Sequence, residues 1–400
     1  MIKAPNSTVL STATILELEH QFDGRLARPR VALADWSSMQ LAAKQWSEAV
    51  WSAAEFTGPI PLDATEVARG LDLAHRPVFV CGVPRSGTTL VRDLLDSHPA
   101  LCVLPSEGTF FTNFQQQLQR LQPGHWLAFL GREWLRRLAN PIHQQPYWLL
   151  GRSSERGSPY VEFARALSAW WPVVRDQLGH RITSWPLVAV ALAYAHSTAA
   201  LTPGTQVQHW VEKTPTNERF LQRLRAEFPA ALFIQAVRHP YAVYASHKQS
   251  AQLDGGRLRN AGRISRDLSL SYRVAIEHRG NADLDKYQVI RYEDLVEASH
   301  DSTDDLAAFL RIAPLPILRQ PTAAGLATAS NSSFVSDAKP GHVDAIAHRR
   351  WTDVLTRHEC ERLSALVGID AMALGYEVAP IPPWRARLLR ATAPLINRFA

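Results

Sequence analysis

The stretch CGVPRSGTTLVRDLL, Cys81 to Leu95, is the first place in this 400-residue sequence where residue types and spacing do chemistry. Gly82, Gly87 and Thr89 fall on the G-x-x-x-x-G-K-[ST] pattern of a nucleotide phosphate loop, while Thr88 stands in the lysine slot. A glycine turn between a strand and a helix aims backbone N–H groups and the positive end of a helix dipole at one point. It therefore builds an anion site. Thr88 and Thr89 add hydroxyl donors.

The second such stretch is VRHPYAVYAS, in which Arg238 ends an apolar run and Ser246 follows about two helical turns later. A guanidinium fork and a hydroxyl so placed converge on one phosphate. The plain alternative is a surface ion pair and an ordinary helix serine. A nucleotide triphosphatase also needs Mg²⁺ held by an acidic residue at a strand end. Where that aspartate would stand, this chain offers Arg238. The pattern fits a ligand carrying an extra phosphate and no metal.

The elements that must position these residues are legible in the apolar periodicity. PVFVCGV reads as a buried strand and TTLVRDLLDSHP as a helix that Pro99 ends. VQHWVEK, ALFIQAV and YQVIRYEDL read as further strands. A helix between the first two of these is capped by Thr214, with Pro215 at its first position, and runs to Phe228. Strands alternating with helices predict an α/β fold, a P-loop-like parallel sheet flanked by helices, with ligands at the strand-to-helix turns.

Residues 1–75 read as a helical N-terminal extension and 76–378 as the main domain. Within the latter, 108–204 forms a helical insertion on the acceptor side, and 379–400 is a basic C-terminal helix or tail. The insertion carries Trp126, Trp134, Trp148, Trp170, Trp171 and Trp185. Aromatic residues at this density build core, with an apolar acceptor pocket as the other reading.

The formal net charge of +6 suits an anionic ligand, and the cations are scattered rather than blocked, against nucleic-acid binding. Cys81, Cys102 and Cys360 have neither disulfide-framework nor metal-ligand spacing, which points to a reducing, cytoplasmic compartment. No run reads as a signal peptide or a membrane span. The C-terminal PPWRARLLRATAPLINRFA is basic and mildly amphipathic. A docked terminal helix is the plainer reading, peripheral membrane contact the other.

PRSGTT after a strand, with VRHPYAVYAS about 150 residues later, resembles the two phosphosulfate-binding segments of sulfotransferases that use 3′-phosphoadenosine 5′-phosphosulfate (PAPS) without a metal. The resemblance implies that the loop Pro84, Arg85, Ser86, Gly87, Thr88 and Thr89 holds the 5′-phosphosulfate and that Arg238 and Ser246 hold the 3′-phosphate. Further stretches resemble the tyrosylprotein-sulfotransferase-like branch. SEGTFF places Glu107 at that branch's catalytic glutamate, and VEKTPTN places Lys213 at a catalytic lysine. VIRYEDLV places Tyr292 against the nucleotide. SSFVSDAKPGHVDAIAHRRW resembles the late loop that closes over it, with Ser333, Lys339 and Arg350 among the binding positions. The late loop is longer than the family's, and Ser250 stands where some relatives carry a cation, with Lys248 nearby.

These roles imply a sulfuryl transfer in which positioning and charge stabilisation are the protein's work. Glu107, expected on the turn leaving the loop helix, is the general base, with Glu212, His98 or His247 as rivals. Lys213 neutralises the leaving group and Arg85 grips the sulfuryl oxygens. Glu212 and Lys213 point to opposite faces of one strand, so one of them looks into the site. The competing readings are a P-loop kinase of atypical sequence and a non-catalytic nucleotide-binding module. The acceptor, whether peptide tyrosine, carbohydrate, lipid or small natural product, is left open.

Overall fold

A computed structural model describes residues 12–26, 33–139, 148–253, 261–279, 285–328, 339–343 and 349–396. The chain opens with helices α1 (Thr12–Leu26), α2 (Leu33–Thr57) and α3 (Ala64–Ala74), then enters strand β1 (Pro77–Cys81), helix α4 (Thr88–Leu95) and strand β2 (Leu101–Glu107). Helices α5 (Gln115–Gln119), α6 (Trp126–Ala139), α7 (Pro159–Leu178) and α8 (Trp185–Ser197) follow. The alternating part resumes with β3 (His209–Lys213), α9 (Leu221–Glu227), β4 (Leu232–Val237), α10 (Pro240–Leu253), α11 (Ala261–Arg279) and β5 (Tyr287–Arg291). It closes with α12 (Tyr292–Glu297), α13 (Ser299–Leu310), the hairpin β6 (Thr322–Ala323) and β7 (Leu326–Ala327), α14 (Arg357–Ala373) and α15 (Pro383–Ile396).

β1 to β5 form a parallel sheet in the order β2-β3-β1-β4-β5. β1 pairs with β4 through Val78 opposite Leu232 and Val80 opposite Ile234, and β4 pairs with β5 through Phe233 opposite Tyr287. Because side chains alternate along a strand, Val78, Val80, Ile234 and Ala236 share one face and meet Val91, Leu94 and Leu95 of α4. The opposite face carries an aromatic row across three strands. Phe79 stacks on Phe233 at 5.5 Å, and Phe233 on Tyr287 at 5.9 Å. The sheet thus needs helices on both faces, and its strands are near-continuous apolar runs.

Two local expectations are corrected. The segment after Pro99 is a strand, so Glu107 ends β2 rather than sitting on a turn leaving α4. Pro105 within it is tolerated because β2 is an edge strand. The helix after β3 begins at Asn217 as a 3₁₀ turn and becomes α9 at Leu221, since Thr216 takes a left-handed φ of 69° that helix continuation from Pro215 forbids.

The chain divides into two compact units, Met1–His75 with Leu104–Trp210, and Arg76–Val103 with Val211–Ala400. The first is helical and aromatic. Trp46 packs edge-on to Trp148 at 5.4 Å and to Tyr160 at 5.0 Å, and buried Glu19 accepts the Ser153 hydroxyl at 2.6 Å. Trp170 lies so close to Gly70 that a Cβ there would stand 2.3 Å from its ring. Of the six tryptophans read from the insertion, Trp134, Trp148, Trp170, Trp171 and Trp185 are buried and Trp126 half-buried, as core packing requires. The second unit holds both the glycine turn and the Arg238–Ser246 stretch.

Candidate functional site

β1 delivers the chain to Gly82, whose φ of 130° is open to glycine alone and whose missing side chain is required by space. A Cβ there would stand 2.2 Å from the Ala236 carbonyl oxygen of β4. Both main-chain groups of Gly82 are held by the segment after β3. Its N–H donates to the Glu218 carboxyl at 3.0 Å, and its carbonyl accepts the Thr216 N–H at 2.9 Å. The turn continues through Arg85, left-handed at φ 74°, to Gly87, left-handed at φ 102°. Gly87 caps α4 without a side-chain hydrogen bond, so no side chain of the cap satisfies the first-turn N–H groups. Thr88 and Ser86 are buried beside it, and the Ser86 hydroxyl has no hydrogen-bond partner among the described residues. Pro84 and Thr89 are half-buried on the same turn.

The tip of β4 meets this turn directly. Arg238 Nη1 donates to the Arg85 carbonyl at 3.2 Å, joining stretches that the sequence separates by 153 residues. The Arg238 guanidinium lies over the Tyr292 ring at 4.1 Å, within cation–π range. Tyr292 in turn lies against the glycine turn, where a Cβ on Gly87 would stand 2.4 Å from its ring. On α10, Ser246 is buried, and Ser250, one helical turn on, accepts from Arg85 Nη2 at 2.6 Å. That face of α10 is therefore turned toward the phosphate turn. Lys248 points elsewhere, bonded to Glu359 at 2.9 Å and to the Val354 carbonyl at 3.1 Å, so it does not stand in for a cation at Ser250.

The tip is fixed from behind. The Tyr272 hydroxyl donates to the Arg238 carbonyl, and the next N–H, that of His239, donates to Glu293 Oε1 at 2.9 Å. Glu293 also accepts the Tyr376 hydroxyl at 3.1 Å. The His239 ring donates from Nε2 to the Glu377 carbonyl at 2.8 Å, accepts the Tyr241 N–H at Nδ1, and stacks on Trp351 at 5.4 Å. Burial pushes its pKa down, as that neutral tautomer requires. The Trp351 contact brings the short turn that begins at Arg350, itself half-buried, to the tip. Lys339 is exposed, and Ser333 lies outside the described residues.

At the end of β3, Glu212 and Lys213 are both buried. Glu212 is consumed by structure, accepting the Thr214 hydroxyl and the Asn217 amide, the latter at 2.8 Å. Lys213 lies near α4, where burial pushes the Asp93 carboxyl up while the Arg92 guanidinium and then the Lys213 ammonium pull it down. His98 has both ring nitrogens engaged, Nε2 with the Ala313 carbonyl at 2.9 Å and Nδ1 with the Ala100 N–H at 3.1 Å, and burial lowers its pKa. It is a structural histidine. His247 is half-buried on α10. Glu107 belongs to the helical unit, half-buried at the end of β2, its carbonyl bonded by Arg137, which also reaches the Thr109 hydroxyl at 3.0 Å.

Two acids that sequence reasoning passed over complete the arrangement. Glu218 is buried behind the glycine turn, and desolvation raises its pKa. Glu293 secures the tip. Neither has a spacing signal of its own. Glu218 hides in what reads as a polar helix start, and Glu293 beside the more conspicuous Tyr292.

A model of the sulfotransferase family matches residues 77–315, more than half of the chain, including the glycine turn, the end of β3 and the arginine tip. The nodulation protein NoeE of Sinorhizobium fredii is 26% identical over 325 residues, covering 75% of this chain. The chain spans 65% of the length of that relative. Among solved structures, the sulfotransferase domain of the Synechococcus PCC 7002 olefin synthase superposes with a TM-score of 0.45 at 20% identity, covering 76% of this chain and 96% of that one. The sulfotransferase domain from the curacin biosynthetic pathway gives 0.42 at 20% identity, covering 76% and 98%. The chain that carries this glycine turn and arginine tip belongs to the sulfotransferase family.

Proposed function

We propose that this protein moves a sulfuryl group from PAPS to an acceptor hydroxyl. The observation that carries the reading is the contact of Arg238 with the Arg85 carbonyl, which seats a fixed cation against a phosphate turn that lacks the nucleotidase lysine. The buried Ser86 hydroxyl, without a partner among the described residues, and the first-turn N–H groups of α4 fit a 5′-phosphosulfate. Arg238 and Ser246 fit a 3′-phosphate.

When bound, the donor supplies an SO₃ unit on a phosphate leaving group. Pro84 to Thr89 hold the phosphosulfate, Arg85 orients the sulfuryl oxygens, and Tyr292 borders the nucleotide. Lys213 balances charge on the bridging oxygen as the sulfur–oxygen bond breaks. Glu107 takes the acceptor proton as the new sulfur–oxygen bond forms. Lys339, Arg350 and Ser333 complete the donor side. The compartment this reading assigns is the cytoplasm.

Calorimetry with adenosine 3′,5′-bisphosphate in excess chelator tests the donor. Binding is expected without a divalent ion. Arg238→Ala is expected to weaken it about 10- to 100-fold, the worth of a charge-assisted bond, while leaving adenosine 5′-phosphosulfate nearly unaffected. Equal losses on both ligands place the 3′-phosphate elsewhere. A labelled-sulfate transfer screen across peptide, glycan, lipid and phenolic acceptors then identifies the acceptor class.

A further inference from the structure

The C-terminal helix α15 faces the wrong way for a helix docked by its apolar side. Arg385 turns inward to Glu361 at 2.6 Å, and Arg390 Nε reaches the Ala365 carbonyl of α14 at 2.6 Å. Trp384 and Leu388, one helical turn apart, are turned to solvent, 67% and 55% exposed. On α14, Ile369 lies one turn beyond Ala365 and is 67% exposed, with Met372 at 57%. These four side chains are half of the eight large apolar residues exposed among the described residues, and they fall on two adjacent helices.

The charge around them selects the occupant. From Ala379 to Ala400 the sequence carries Arg385, Arg387, Arg390 and Arg398 and no Asp or Glu. Arg387 is exposed on the same side of α15 as Trp384 and Leu388. An indole and a leucine beside an exposed arginine, on a segment without acids and on a helix already anchored through Arg385 and Arg390 on its other face, are the chemistry of an interfacial helix that lies in the headgroup layer of an anionic bilayer.

We propose that α14 and α15 form a docking surface for an anionic lipid membrane, with Trp384 and Leu388 entering the headgroup–acyl boundary and Arg387 meeting the lipid phosphates. The full chain is expected to co-sediment with mixed phosphatidylcholine–phosphatidylglycerol vesicles, weakly with phosphatidylcholine alone, and less as salt rises. Arg387→Gln is expected to lower affinity for the mixed vesicles about fivefold, the worth of one cation near such a surface. Trp384→Ser/Leu388→Ser is expected to lower it further, with the circular dichroism spectrum unchanged. Arg387 is exposed and its replacement leaves the fold intact, so this arm stands even where the double variant fails to fold. Absence of vesicle binding, equal binding to neutral and anionic vesicles, or wild-type binding by both variants each overturns the proposal. So does a self-associated wild type that the double variant renders monomeric in sedimentation equilibrium, which assigns the face to a second copy of the chain.

Discussion

The glycine turn after β1 and the arginine tip after β4 present their polar groups by opposite means. At the turn the groups are main chain, and what fixes them is exclusion of side chains and the clasp of Gly82 by Thr216 and Glu218. At the tip the group is one long side chain, and what fixes it is a layer of other side chains, Tyr292 beneath the guanidinium and Tyr272 and Glu293 behind its backbone. A main-chain site fails only when the fold yields. A side-chain site fails when one residue is trimmed.

The largest test of that contrast is Gly82→Ala. It forces an L residue to φ 130° and a methyl group onto the Ala236 carbonyl, and is expected to cost about 3–5 kcal/mol of folding stability in urea titration. Wild-type stability in this variant breaks the argument for the turn. Next comes Arg238→Ala, its 10- to 100-fold loss of bisphosphate affinity corresponding to about 1.4–2.7 kcal/mol, with a smaller cost in folding stability. Glu218→Ala leaves the Gly82 N–H buried and unpaired and is expected to cost about 2 kcal/mol of stability. Glu218→Gln keeps an acceptor oxygen, resembles the neutral acid, and is expected to stay near wild type. A loss in Gln as large as in Ala means that the acid does more than accept a bond. Tyr292→Leu removes the platform under Arg238 and is expected to weaken bisphosphate binding by about 1 kcal/mol.

The smallest effect is in pH. His239 is neutral when folded because burial lowers its pKa, and it takes up a proton at about its ordinary value of 6.5 when unfolded. The unfolded chain therefore binds more protons, so its contribution is complete above about pH 6.5 and is lost as pH falls toward the folded value. His98 acts in the same sense. Glu218, with its pKa raised, acts in the opposite sense as pH rises above 4.5. Comparing wild type with His239→Gln across this range isolates the histidine. A variant that loses as much stability on acidification as wild type means His239 titrates freely.

The two regions were also unequally legible. The turn is written in the sequence because glycine is the only residue its angles accept, and Arg238 because a cation stands where a nucleotidase needs an acid. β2 escaped because Pro99 and Pro105 punctuate it and its last residues are polar, which is how an edge strand reads. The start of the helix after β3 was misplaced because Thr-Pro-Thr-Asn offers a cap in sequence, while in the fold the Thr214 hydroxyl is spent on Glu212 and Thr216 turns left-handed. Glu218 and Glu293 act through backbone amides of residues 136 and 54 positions away, a relation that local pattern does not encode.

The clasp on Gly82 has a further consequence. Because its amide and carbonyl are both claimed from within the protein, the first link of the cradle is ordered before any anion arrives. Under the donor reading proposed above, little chain entropy is forfeited at this link on capture, so a modest set of contacts suffices to hold the ligand.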